Sequence, residues 1–199
     1  NFQEYWDVIM SDKKMQGGFI WDWVDQGLKK TTPDGRTYWA YGGDLGGYAL
    51  QNDENFCTNG LVASDRSIHP GLNEVKKVYQ NILFKAIDAA IGSVTVINLY
   101  DFTNLEQYSF KWRLMRNGEM VKEDTFSVSL APHQLKNIQL RIPQLKSMEG
   151  TEYYLNLYAF IKTATALLPV GHEVAREQFK TGGDYFATPP KKENTLQVT

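Results

Sequence analysis

The sequence is poor in several residues and patterns, and each absence excludes something. It has one cysteine in 199 residues, Cys57, so no intrachain disulfide can form. That fits a reducing compartment, the cytoplasm, with the periplasm the alternative, since exported proteins also lack disulfides at times. It has three histidines, His69, His133 and His172. No two of them are spaced for a metal site and there is no CxxC, so all three, with Cys57, read as structural or surface residues. Net charge is only −2 with both signs interspersed, which excludes a phosphate-neutralising nucleic-acid surface. No apolar run approaches the ~18 residues of a membrane span. The start, Asn1 to Trp6, lacks both Met and the basic region of a signal peptide. It reads as a cut inside a helix, so a piece of a longer protein is expected. The glycines of Gly42–Gly47 are not followed by the Lys-Ser/Thr of a phosphate loop.

What is abundant is aromatic: five Trp and eleven Tyr. Aromatics fill sandwich cores, and they also stack on the C–H faces of sugars, so two explanations stand. Their distribution follows two different periods. Phe2, Tyr5, Trp6 and Ile9 make an apolar helical stripe over residues 2–10. Gly17 to Val24, short and nearly all apolar, predicts a fully buried strand of the parallel-sheet kind. Thr32-Pro33-Asp34-Gly35 is a turn signal, and Pro70 opens a second helix carrying Leu72, Val75 and Tyr79. Helix, strand, long loop and helix is the pattern near the end of a βα barrel, but one strand and two helices cannot close a barrel of eight.

After Gln80 the period is two. Alternating runs begin near Ile82, Val94, Tyr108, Thr125, Ile138, Tyr153 and Glu173, with a turn at Asn117-Gly118. Seven or eight short strands in about 100 residues predict an immunoglobulin-like sandwich, with Trp112 as its core plug. The expected fold is mainly β: residues 1–80 an incomplete terminal segment of a (β/α)8 barrel, residues 81–185 the sandwich, and residues 186–199 a Pro-containing linker toward a further domain that Leu196–Val198 would open.

Two segments carry chemistry. Barrel sites sit at the carboxyl ends of strands, which is where residues 21–25 fall, so Trp21 is either a pocket wall or a core tryptophan. Asp22 and Asp25 do not read as a glycosidase pair. Alternation sends them to opposite faces, whereas a retaining pair converges to about 5–5.5 Å; hydrogen bonds to loop backbone suit them better. Asp44, among glycines, is read the same way. Asn52 to Asn59 is rich in oxygen donors suited to a hard cation, but no EF-hand spacing is present and the spacing alone favours a turn built on Asn and Asp side chains.

The stretches Gly17-Gly18-Phe19-Ile20-Trp21-Asp22-Trp23-Val24-Asp25-Gln26 and Asn52-Asp53-Glu54-Asn55-Phe56-Cys57-Thr58-Asn59-Gly60-Leu61, together with Tyr41–Leu45, Asp65–Gly71 and Tyr100–Leu105, resemble the LacZ-type β-galactosidases of glycoside hydrolase family 2. The resemblance implies a retaining hydrolase of terminal β-D-galactosides that uses two glutamates, Mg²⁺ and Na⁺. Both glutamates and the main Mg²⁺ ligands would lie before Asn1, so no catalytic residue is expected in these 199 residues and the chain alone is expected to be inactive. By resemblance Trp21 packs against the galactosyl ring, the Phe56 carbonyl and the Asn59 side chain are Na⁺ ligands, and Asn52 lies near Mg²⁺. No ion is expected to be tightly bound by the chain alone. The whole enzyme is expected to be a homo-oligomer that takes a galactoside and binds neither nucleic acid nor membrane. The competing readings are a non-catalytic carbohydrate-binding or lectin-like sandwich, a structural adaptor, and a β-glucuronidase or β-mannosidase of the same broad family. The Trp-Asp-Trp-Val-Asp-Gln and Asn-Asp-Glu-Asn-Phe-Cys runs favour the galactosidase.

Overall fold

A computed structural model describes residues 2–47, 49–146 and 149–186; the linker and further strand expected from residue 187 onward lie outside the described residues. The chain divides into two units, Asn1–Tyr79 and Gln80–Thr199.

In the first unit, α1 (Phe2–Ser11) and α2 (Pro70–Val78) form where the apolar spacing and Pro70 place them. One edge of α1 is used. Phe2 and Trp6 gather on Tyr79, with ring centroids 5.4 and 4.6 Å from it, while Tyr5, Val8 and Met10 are exposed.

The buried strand expected over Gly17–Val24 is not formed. Among the described residues only Val24 of this stretch makes a bridge, parallel to Val62, and Phe19, Trp21 and Trp23 are exposed. A parallel strand is satisfied by hydrogen-bonded neighbours on both sides; here residues 57–62 run along one side of its last residues only.

A further departure is a β-hairpin. β1 (Leu28–Thr31) pairs antiparallel with β2 (Thr37–Ala40) across the Thr32–Gly35 turn. The turn signal is clear, but Leu28-Lys29-Lys30-Thr31 is exposed throughout and has no alternation to declare it. Gly42–Leu45, expected as loop, is a short 3-10 helix.

The second unit has seven strands among the described residues: β3 (Ile82–Asp88), β4 (Ser93–Asn98), β5 (Tyr108–Arg116), β6 (Glu119–Phe126), β7 (Leu135–Gln139), β8 (Glu152–Ile161) and β9 (Glu173–Gly183). They build two antiparallel sheets, in the orders β3-β4-β7 and β6-β5-β8-β9. The inward side chains of each sheet form one core. Val94, Val96 and Asn98 alternate inward along β4, Phe110, Trp112 and Leu114 along β5, and Leu155, Leu157 and Ala159 along β8. Trp112 is 2% exposed and is the sandwich's largest buried side chain, so truncating it should cost about 3–5 kcal/mol.

Two strand positions move. The strand expected at Thr125–Leu130 is instead Glu119–Phe126, held by the Asn117-Gly118 turn in a register pairing Arg116 with Glu119. The one expected at Ile138–Ile142 is Leu135–Gln139.

Candidate functional site

Residues 22–27 and 57–64 are stitched together. The Asp22 N–H donates to the Asn59 carbonyl at 3.2 Å, Leu61 N–H to the Asp22 carbonyl at 3.0 Å, Val62 N–H to Trp23 at 3.1 Å and Asp25 N–H to Val62 at 3.0 Å. The backbone ladder therefore sets Trp21 beside the turn that carries Asn59. Trp21 stands 75% exposed, so it is no core tryptophan in this unit; the Trp21–Asp22 peptide is cis.

That turn is built locally. Phe56 N–H donates to the Asp53 carbonyl at 2.8 Å and Thr58 N–H to Asn55 at 3.0 Å. The Asn59 side-chain amide reaches back to the Phe56 carbonyl. The structure thus brings together two of the three expected cation ligands. Asn59 Nδ2 donates to the Phe56 carbonyl; the pair holds two neutral oxygens, that carbonyl and Asn59 Oδ1, which would suit a hard cation once the amide turned its Oδ1 toward it. Asn52 is not part of this pair. Its Nδ2 donates to the Leu50 carbonyl at 2.9 Å and its Oδ1 accepts from Glu54 N–H at 3.0 Å, the Asx-turn arrangement. An amide oxygen has a second lone pair, and that is what Asn52 has left for an ion or its water. Among the described residues no group of three or more His, Cys, Asp or Glu side chains is placed to hold a metal.

The aspartates serve the scaffold. Asp25 Oδ1 accepts from Gly60 N–H at 2.8 Å. Its backbone carbonyl accepts from Ser64 Oγ at 3.0 Å, and that same Oγ accepts from Gly27 N–H at 3.0 Å. Asp22 Oδ2 accepts from Gln26 Nε2 at 2.8 Å, while its Oδ1 is buried without a hydrogen bond among the described residues. Asp44 Oδ2 takes the Tyr41 N–H at 3.3 Å. An open cleft of about 470 Å³ lies between this 3-10 segment and the Asn52–Asn59 turn, lined by Tyr41, Gly43, Asp44, Glu54 and Asn55.

The sequence reading missed a contact of His69. Its Nδ1 lies 2.9 Å from the Gly60 carbonyl and its Nε2 lies 3.5 Å from Asp25 Oδ2. Gly60 is thus held on both sides by residues 35 and 9 positions away. No short-range spacing connects the three.

Two family models match the chain. One, described as "Glycosyl hydrolases family 2, TIM barrel domain", matches residues 1–84, and the other, "Beta-galactosidase, domain 4", matches residues 94–182. A "Beta-galactosidase" of Priestia megaterium is 41% identical over 180 residues, covering 90% of this chain and 17% of that protein. "Beta-galactosidase 2" of Enterobacter cloacae is 35% identical over 189 residues, 95% of this chain and 18% of that protein. The chain belongs to the LacZ-type β-galactosidase family, glycosyl hydrolases family 2. It spans about a sixth of the length of these relatives and joins the end of a family 2 barrel to the sandwich that follows it. Among the described residues no helix is long and apolar enough to cross a membrane.

Proposed function

We propose that this chain works as part of a retaining β-galactosidase that hydrolyses terminal β-D-galactosides. In this reading residues 1–80 give the pocket one wall, residues 81–185 are the sandwich that follows in the chain, and the two glutamates that do the chemistry lie outside these residues. The observation that carries the reading is the exposed Trp21 fixed by backbone hydrogen bonds next to the Phe56–Asn59 turn. A flat apolar ring beside neutral oxygen donors suits a pyranose, which has an apolar C–H face and a hydroxyl rim.

The Phe56 carbonyl and the Asn59 amide would hold Na⁺, and Asn52 would lie near Mg²⁺. A bound Na⁺ would supply a fixed positive charge at that edge of the pocket, drawing oxygen ligands to it. The whole enzyme is proposed to be a cytoplasmic homo-oligomer; the lone thiol of Cys57 suits a reducing compartment.

The test is hydrolysis of nitrophenyl glycosides. The full-length protein containing this segment is expected to turn over the β-galactoside, and the 199-residue chain alone none of it. A full-length protein that prefers the β-glucuronide or β-mannoside, or turnover by the purified chain alone, would overturn the reading.

A further inference from the structure

We infer that His69 and Asp25 are positioning residues for the monovalent-cation ligands Phe56 and Asn59, acting through the backbone of Gly60. The inference rests on the functional reading above.

Asn59 precedes Gly60, and the Gly60 peptide groups are gripped from both sides. A carbonyl only accepts, so His69 donates through Nδ1 to the Gly60 carbonyl at 2.9 Å. Asp25 Oδ1 accepts the Gly60 N–H at 2.8 Å. The two side chains meet each other, His69 Nε2 to Asp25 Oδ2, at 3.5 Å. The approach is tight, since a Cβ on Gly60 would lie 2.2 Å from the Asp25 backbone nitrogen. The Asn59 carbonyl is fixed as well, by the Asp22 N–H. With its backbone set on both sides, Asn59 has only its side chain left to turn; its Nδ2 donates to the Phe56 carbonyl, and a rotation of the amide alone brings Oδ1 to a cation held there. Groups that orient ligands in this way raise ion affinity by reducing what binding must order.

Sodium itself is the probe, exchanged for choline at constant ionic strength in the full-length enzyme, with ²³Na line broadening and the sodium-dependent rise in unfolding temperature as readouts. His69→Ala is expected to raise the half-saturating sodium concentration about tenfold or more. His69→Asn keeps a donor near the Nδ1 position and should recover most of that loss; His69→Gln, whose donor sits nearer Nε2, should recover less. The Asn and Gln variants carry the test if the alanine variant does not fold. Identical sodium titrations for wild type and His69→Ala, or equal behaviour of the Asn and Gln variants, would overturn the inference. So would a wild-type enzyme that hydrolyses galactosides without any sodium response. One that hydrolyses no galactoside would instead overturn the functional reading.

Discussion

A Cβ on Gly60 would stand 2.2 Å from the backbone nitrogen of Asp25, and 2.5 Å from the Val62 carbonyl oxygen. Both neighbours are backbone, so neither can rotate away. Gly60→Ala should therefore push residues 22–25 and 57–62 apart and cost about 1–3 kcal/mol. Gly71 is the contrast. It sits in the first turn of α2, where a Cβ meets only the Leu61 side chain at 3.9 Å. Gly71→Ala should be neutral or stabilising by up to about 1 kcal/mol. Hydrogen exchange at amides 57–64 in the full-length protein checks the pair: faster in Gly60→Ala, unchanged or slower in Gly71→Ala.

Trp21 separates stability from recognition. At 75% exposure it contributes little packing within its unit, so Trp21→Ala should change unfolding free energy by no more than about 0.5 kcal/mol. Under the proposed function the same change removes a sugar-facing ring and should lower kcat/KM for nitrophenyl β-galactoside about tenfold or more, the equivalent of about 1.4 kcal/mol. Trp21→Phe should fall between. Equal losses in melting temperature and activity would return Trp21 to a packing role.

Legibility followed burial. Strands β4, β5 and β8 declare themselves because every second side chain is inside, as at Val94, Trp112 and Leu157. β6 does not, because it is an exposed edge strand whose Glu119, Lys122, Glu123 and Asp124 suit an edge that must not recruit another strand. The alternation of Phe126, Val128 and Leu130 runs past the end of the strand at Phe126. Val128 and Leu130 are buried, but from a segment that crosses between the sheets without pairing as a strand. Gly17–Val24 shows the opposite fault. Its apolar run marks residues suited to burial, while pairing depends on neighbours that the run itself does not specify. Trp21, Phe56 and Asn59 enter the proposed site through the resemblance alone. The Asp25–Gly60–His69 contact was not legible, since it exists only once distant segments meet.

Asn98 is a polar residue sealed in the sandwich, 0% exposed. Its Nδ2 donates to the carbonyls of Thr103 at 2.8 Å and Leu130 at 3.0 Å, and its Oδ1 accepts from Tyr100 N–H at 2.9 Å. It ties the loop after β4 to the crossing segment. Asn98→Leu should leave the Thr103 carbonyl and the Tyr100 N–H short of a partner, while the Leu130 carbonyl keeps the Leu105 N–H at 3.0 Å, and cost about 2–3 kcal/mol. The sandwich holds a single tryptophan, Trp112, so residues 80–186 produced alone report their own unfolding. They are expected to melt cooperatively in urea, with the Asn98→Leu midpoint lower at an unchanged slope.

Glu123 gives the sandwich a pH dependence of predictable sign. The Arg113 guanidinium at 2.8 Å, and then the Lys111 ammonium at 3.1 Å, hold its carboxyl below the ordinary value. Because its affinity for protons is lower folded than unfolded, the pairing stabilises the sandwich above the unfolded carboxylate range. That contribution is lost as pH falls through the folded value. Arg113 also lies over the Tyr158 ring, 5.4 Å from its centroid, so its guanidinium is already oriented when it meets the carboxylate. The side chains are about a third exposed, and such pairs weaken with salt. The urea midpoint of residues 80–186 should therefore fall between about pH 6 and about pH 3 by more in wild type than in Glu123→Gln. The difference between the two proteins should shrink in about 1 M NaCl. Parallel pH profiles at low salt would show that this ion pair adds nothing to the fold.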